Sequence, residues 1–375
     1  MLSFYLIWSL SYFALLGYLS RFGKSHKIDF SSIHSFSPLV TLVIPFRNEK
    51  GNIPNLLVNL KKLQYPNLEV LLIDDHSEDD SSEILIEENL PGISILCSPA
   101  LGKKGAIEFG VQQAKGNIII CSDADCNFGE RWIEGMIQPF SNPIIQLVAG
   151  PVLVQNEGGF LGEFQLLDWA SIVLTTSYSF TRNNPLMCSG ANLAYRKEAF
   201  EQVQGYEGNR HLSSGDDEFL LKKIYKTYGA DSCAYSTSPQ VLVCTKPEPT
   251  WRALIQQRVR WASKWKAHSS FIHSSSAIAA LLTQVLWLGS FYLLAFGFKG
   301  MLVFGGIWLI KVCAEIYSLG KVLKSFSRVP DISAVLRVSL LHPFYVLRVA
   351  LGALRGKFTW KGRENCRSVN LEPEI

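Results

Sequence analysis

Asn117-Ile118-Ile119-Ile120-Cys121-Ser122-Asp123-Ala124-Asp125 decides the fold of this chain. The apolar run reads as a short buried strand. Asp123 and Asp125 follow it on a loop, one residue apart, so two carboxylates can converge on one divalent cation. A hard cation held by few protein oxygens keeps positions open for phosphate oxygens. The pair points to a metal–diphosphate site. Standing alone it also reads as a solvated acidic turn, and its neighbours along the chain weigh against that.

Upstream, Leu39 to Ile44 reads as a strand ended by Pro45, and Ile53 to Leu63 has helical spacing. Val70 to Ile73 is a second strand, running into Asp74-Asp75-His76-Ser77. Ser81 to Asn89 reads as a helix, Ile93 to Cys97 as a strand and Ala106 to Ala114 as a helix. This alternation predicts an α/β unit over residues 38–270, a mostly parallel sheet with helices on both faces. Ligands in such sheets bind beyond the carboxyl ends of the strands. Those ends carry Pro45 to Glu49, Asp74-Asp75 and Asp123 to Asp125, three polar clusters on one edge. Neither a dinucleotide fingerprint nor a P-loop is present. Gly102-Lys103-Lys104-Gly105 is a short basic loop that reads as a phosphate or base contact, or as a solvated turn.

Three stations follow downstream. In Cys188-Ser189-Gly190-Ala191-Asn192, Gly190 allows close backbone approach to a ligand, or makes an ordinary tight turn. Gly215-Asp216-Asp217-Glu218 opens a helix over Phe219 to Tyr228. Acids favour a helix N-terminus, yet three in a row exceed what capping needs. Gln257-Arg258-Val259-Arg260-Trp261 lies on a helix beginning near Thr250. Gln257, Arg260 and Trp261 fall within about one turn. Arginine binds phosphate and tryptophan stacks on rings. Trp265 and Lys266 also fit an amphipathic helix beside a membrane.

Of 375 residues, 48% are hydrophobic and 18% charged, which leans toward a membrane protein. Residues 1–20 carry no charged side chain and read as a transmembrane anchor rather than a cleaved signal. Residues 277–320 read as a transmembrane hairpin. It is interrupted by Lys311 and Glu315, which neutralise each other at i, i+4. Basic Arg21, Lys24 and Lys27, and Lys321, Lys324 and Arg328 after the hairpin, place residues 38–270 in the cytosol. Residues 334–354 contain Arg337, His342, Pro343 and Arg348. They read as interfacial or re-entrant, with a fourth span as the alternative, followed by a cytosolic tail over 355–375. The eight cysteines form no CxxC and read as reduced thiols. The net charge of +4 gathers near the membrane segments. It reads as a topology and membrane-lipid signal, not a nucleic-acid surface.

The order Asp74-Asp75, Asp123-Ala124-Asp125, Asp216-Asp217, Gln257-x-x-Arg260-Trp261, ahead of a membrane hairpin, resembles the family 2 membrane glycosyltransferases. These include the synthases of cellulose, chitin, hyaluronan and poly-N-acetylglucosamine, and ceramide glucosyltransferase. Val43 to Glu49 looks like the family's opening, and Thr359-Trp360-Lys361-Gly362-Arg363 like its C-terminal tail.

The resemblance implies a GT-A nucleotide-sugar-binding domain plus transmembrane helices, with inversion at the anomeric carbon. The donor is a nucleotide sugar of the UDP type, and the acceptor a lipid or polysaccharide. It implies that Pro45, Asn48, Glu49, Asp74, Asp75, Lys103, Lys104, Asp123, Gln257 and Trp261 bind the donor. Asp123 and Asp125 serve Mg²⁺ or Mn²⁺. Asp217 is the catalytic base, with Asp216 and Arg260 in the catalytic set. Ser189, Gly190, Asn192 and Trp261 meet the acceptor. Cys188 to Asn192 departs from the Phe-x-Cys-Gly-Ser stretch of cellulose-type synthases, so acceptor and processivity stay open. The implied place is a bacterial inner membrane with the catalytic domain in the cytosol. Two alternatives stand beside a polymer synthase: single addition to a ceramide- or polyprenol-like lipid, and a non-catalytic nucleotide-sugar-binding scaffold.

Overall fold

The computed structural model describes residues 1–21, 36–88, 90–210, 212, 214–263 and 271–355, and the strands 357–360 and 363–366, with 271–274 and these two strands described by backbone alone. Lys24, Lys27, Trp265, Lys266, Lys361 and Gly362 lie outside these residues.

In chain order the elements begin with α1 (Leu2–Leu19), β1 (Val40–Phe46), α2 (Ile53–Lys62), β2 (Leu68–Asp74), α3 (Ser81–Glu88), β3 (Ile93–Cys97), α4 (Lys103–Gln113) and β4 (Ile118–Cys121). There follow β5 (Asn127–Phe128), α5 (Trp132–Ile137), β6 (Leu147–Ala149), β7 (Val152–Val154), α6 (Gly159–Thr181), β8 (Leu193–Arg196), α7 (Lys197–Gln202), α8 (Asp216–Tyr228), β9 (Cys233–Tyr235) and β10 (Val243–Thr245). The last are α9 (Trp251–Ala262), α10 (Phe271–Gly289), α11 (Gly297–Ser325), α12 (Ile332–Arg355), β11 (Lys357–Trp360) and β12 (Arg363–Cys366). They divide into two compact units.

One unit, Tyr18–Pro247 with Ser318–Val329, holds the predicted sheet. Its seven strands run in the order β3-β2-β1-β4-β8-β6-β9. β3, β2, β1 and β4 are mutually parallel, and β8 runs against both its neighbours β4 and β6. From β1 the chain steps to β2 and β3 on one side and to β4 on the other, so a topological switch point lies between β1 and β4. The apolar runs of β1 and β4 are buried throughout, as expected of strands covered on both faces. α4 lies close on the sheet at Gly110, where a Cβ would come 2.6 Å from Val43 Cγ1.

The expectation that Pro45 ends the first strand is corrected. β1 continues through Phe46, with Pro45 registered on Ile73. The ladder to β4 stops at Val43, so the missing Pro45 N–H faces no strand on that side. A small sheet, β5-β10-β7, adjoins in sequence the loop that follows β4.

The other unit, Met1–Gly17, Glu248–Tyr317 and Pro330–Ile375, holds most of the long apolar helices. Among the described residues three helical stretches are long and apolar enough to cross a membrane: Leu2–Leu19, Ser275–Ser325 and Ile332–Arg355. The middle stretch, read in sequence as a hairpin of two spans, is α10, a 3₁₀ segment Ser290–Phe296 and α11, with Gly297 left-handed at φ +59°. Tyr5, Trp287, Leu293, Ile307 and Trp308 form its apolar cluster. Lys311 is fully buried, ion-paired with Glu315, and donates to the Ser339 carbonyl at 3.1 Å. Tyr12 and Ser339 donate their hydroxyls to the same Glu315 carboxylate. One charge pair thus draws α1, α11 and α12 together. The predicted segment 334–354 is α12, a helix with Pro343 inside it.

Candidate active site

β4 delivers Asp123 and Asp125 to the loop beyond its carboxyl end. One ligand atom each from Asp123, Asp125 and Cys126 lie within 4.8 Å of one another. Asp125 Oδ2 accepts from Thr245 Oγ1 at 3.2 Å, and Cys126 Sγ donates to Asp125 Oδ1 at 3.5 Å. Burial, with the negative charges of Asp123 and Glu49, pushes the Asp125 carboxyl up to about 6. A half-buried carboxyl made reluctant to ionise by two neighbouring carboxylates is short of positive charge. The donor set of two hard carboxylates fits a divalent cation such as Mg²⁺ or Mn²⁺.

The residues of α4 and α8 complete the cluster. Lys103 is the first residue of α4, after Gly102 at φ +94°. Its Nζ lies 2.7 Å from Asp123 Oδ1 and 3.2 Å from Asp216 Oδ2. Burial pulls the Lys103 ammonium down, but Asp123, Asp216 and Asp217 outweigh it and hold it well above the ordinary lysine value. α8 starts at Asp216 after left-handed Gly215, so three carboxylates, Asp216, Asp217 and Glu218, sit in its first turn. Asp217 Oδ2 accepts the Gly190 amide at 3.0 Å, and its Oδ1 accepts the Glu218 amide at 2.7 Å. A Cβ on Gly190 would stand 2.7 Å from Asp216 Oδ2 and 3.4 Å from Lys103 Nζ, so a side chain there would displace the Asp216 carboxylate. Lys103, Asp123, Asp125, Gly190, Asp216 and Asp217 therefore form one connected cluster, although they span 115 positions of sequence.

The loops after β1 and β2 are interlocked. Asn48 is left-handed at φ +52° and accepts the Glu78 amide on Oδ1 at 2.7 Å. The Glu49 backbone amide donates to the Ser81 hydroxyl oxygen at 2.9 Å, and its side chain accepts from Asn52. Asp74 spends both oxygens on its own turn, accepting from the Ser77 amide at 2.8 Å and the Ser82 hydroxyl at 2.6 Å. Asp75 is buried and accepts the Gly102 amide at 2.6 Å, which ties the end of β2 to the start of α4. Burial raises its carboxyl, while the Gly102 amide and Arg47 pull it down.

Two of the expected contact residues hold other protein groups. Lys104 does not join Lys103. It is buried, donates to the Asn209 carbonyl at 2.7 Å and lies 5.3 Å from the centre of the Phe219 ring. Asn192 is fully buried. Its side chain accepts from Trp132 Nε1 at 3.0 Å and donates to the Pro151 and Val241 carbonyls at 2.9 and 2.7 Å, so it ties these three segments together.

In the helical unit, α9 carries Gln257, Arg260 and Trp261, with Thr250 capping its start by accepting the Ala253 amide at 3.1 Å. Gln257 Nε2 donates to Glu248 at 2.6 Å, and Arg258 donates to Gln257 Oε1. The Arg258 guanidinium stacks over Trp261 at 4.1 Å. Burial raises the Glu248 carboxyl, against the pull of Arg258 and Arg260. α9 rests on α12 at Gly352, where a Cβ would fall 2.5 Å from Val259 Cγ2. Sequence reading missed Thr245, Cys126, Glu248 and Arg258 as supports of the motif residues. Cys126 adjoins Asp125 and was the one legible from spacing.

Comparison with known proteins agrees with this geometry. Residues 41–204 match the family model described as Glycosyl transferase family 2. The chain is similar to the poly-beta-1,6-N-acetyl-D-glucosamine synthase of Staphylococcus aureus (strain MSSA476), at 28% identity over 229 residues, 60% of this chain and 53% of that protein. The synthase of the same name from Staphylococcus epidermidis is 26% identical over 229 residues. The chain spans about half the length of these curated relatives. Among solved structures, a mannosyltransferase from Pyrobaculum calidifontis, in complex with GDP-Man and Mn²⁺, is similar at TM-score 0.57 and 17% identity, covering 94% of this chain and 97% of that one. At that identity the likeness is one of fold.

Proposed function

Because the chain carries a family 2 glycosyltransferase domain over residues 41–204, we propose that it is an inverting enzyme using a nucleotide-diphosphate sugar of the UDP class. Its acceptor is a growing polysaccharide. Transfer takes place at the cytosolic face of a bacterial inner membrane, in which the three apolar helical stretches lie. The observation that carries this reading is the double ion pair of Lys103, which joins the cation corner at Asp123 to the acids of α8.

Asp123 and Asp125 are the residues to hold Mg²⁺ or Mn²⁺, which when bound offsets the charge developing on a leaving diphosphate. Asp217 is the general base. The amides of Gly190 and Glu218 fix its two oxygens, so that it meets an acceptor hydroxyl in one orientation. Asp216 stands beside it, paired with Lys103. Arg260 takes diphosphate oxygens and Trp261 the acceptor ring, with Gln257 and Arg258 holding that tryptophan in place. A single general base, as Asp217 supplies, suits inversion.

The names of the curated relatives favour a polymer over a single addition. The runner-up is a lipid acceptor, favoured by the small number of membrane-length stretches among the described residues. Membranes containing the protein, incubated with labelled nucleotide sugars and Mn²⁺ or Mg²⁺, separate these. Label retained by size supports the polymer, and label extracted into organic solvent supports the lipid. Absence of transfer from every nucleotide sugar overturns both.

A further inference from the structure

The Lys103 ammonium occupies an unusual place for a phosphate-binding lysine. It contacts a carboxylate of the cation corner, Asp123 Oδ1 at 2.7 Å, and at the same time Asp216 Oδ2 at 3.2 Å, beside the base. Its side chain is one quarter exposed, and Asp216 is about one tenth exposed, so water screens the pair little. Gly190 closes the space around them: any side chain there meets Asp216 and then Lys103. The adjacent residue of the same loop turns away, Lys104 being tied to Asn209, so it supplies no second cation at this point.

We propose that Lys103 is a built-in competitor of the divalent cation, an internal counter-charge that must give up Asp123 when metal binds. The inference rests on the assignment of Asp123 and Asp125 to the metal. Asp123 Oδ1 cannot serve an ammonium at hydrogen-bond distance and a divalent ion with full strength at once, because two cations sharing one oxygen repel. Metal entry therefore releases Lys103 from Asp123 and leaves it on Asp216, next to Asp217. The metal alone binds weakly, since it must displace a resident charge. Metal arriving with a diphosphate binds well, since the freed ammonium gains phosphate oxygens. Lys103 so links loading of the metal–diphosphate to the state of the acids on α8. It acts through Asp123 and Asp216 and is a positioning residue.

The test is Mn²⁺ binding to the full-length protein in detergent, without nucleotide, followed by the electron paramagnetic resonance of free Mn²⁺. Lys103→Gln and Lys103→Met are expected to bind Mn²⁺ about tenfold more tightly than the unaltered chain, and Lys103→Arg to stay within about twofold of it. With UDP present the order reverses, and the neutral variants bind the Mn²⁺–UDP pair more weakly. A lysine that merely props the fold, or only contacts phosphate, gives no gain in affinity for the metal alone. Equal or weaker Mn²⁺ binding by both neutral variants, with unchanged circular dichroism, overturns the proposal. Asp125→Asn serves as the reference: loss of Mn²⁺ binding there with no gain in Lys103→Gln overturns the inference alone, whereas full retention in Asp125→Asn takes down the metal assignment and the inference with it.

Discussion

The backbone amide of Gly190 points at Asp217 Oδ2 from 3.0 Å. The loop before β8 thereby fixes a carboxylate on the first turn of α8. The same glycine leaves no room for a side chain, its Cβ position lying 2.7 Å from Asp216 Oδ2. Gly190→Ala is expected to cut transfer about ten- to a hundredfold by displacing the acids of α8. Initial rates at saturating donor check this, with thermal unfolding as the control for fold.

Asp217→Asn keeps one of the two amide contacts, because its single oxygen still accepts while its NH2 does not, and it cannot take a proton. Turnover is expected to fall about 10²- to 10⁴-fold. Donor affinity, read by equilibrium binding of labelled nucleotide sugar, stays within about threefold. Normal turnover refutes the role of base.

Asp125 gives a pH signature with two signs. Its carboxyl sits at about 6 in the folded chain against an ordinary value of 3.8, so the folded state binds the extra proton between those values. In chelator, stability is expected to fall as pH rises from 3.8 to 6, and Asp125→Asn to flatten that slope in urea titrations. Mn²⁺ affinity runs the other way. It rises up to about tenfold per pH unit below 6 and levels above it, because the cation needs the ionised form. A flat affinity between pH 5 and 6, read from binding isotherms, contradicts the burial argument.

The contact of Gly352 with Val259 predicts a compensating pair. Gly352→Val overpacks the α9–α12 seam, since even a Cβ would come 2.5 Å from Val259 Cγ2. A loss of about 1–3 kcal/mol is expected. Val259→Ala in the same chain restores roughly half of it, a coupling measured by a double-mutant cycle on thermal unfolding.

The strand ends were legible because their signal is local. Buried strands over 40–46, 68–74 and 118–121 must leave the sheet edge somewhere, and Pro45 to Glu49, Asp74-Asp75 and Asp123 to Asp125 follow directly. Spacing could not say which of Lys103 and Lys104 faces the pocket. Adjacent helical residues point about 100° apart, so only one of them can, and packing against Phe219 and Asn209 decides which. Asn192 misled for a related reason: a polar residue beside a glycine looks like a contact residue until Trp132, Pro151 and Val241 are seen to use all of it. Thr245 was invisible because its partner Asp125 stands 120 positions away, brought near through the short strand β10.

The buried Lys311–Glu315 pair bears on how the chain is made. Both charges sit one turn apart on α11, so the buried lysine is offset from within its own helix. The Tyr12 and Ser339 hydroxyls, however, come from the first apolar helix and the last. α12 follows α11 in the chain, so the carboxylate waits for its final hydroxyl until α12 has been made, and the three helices lock together in one joint step rather than helix by helix.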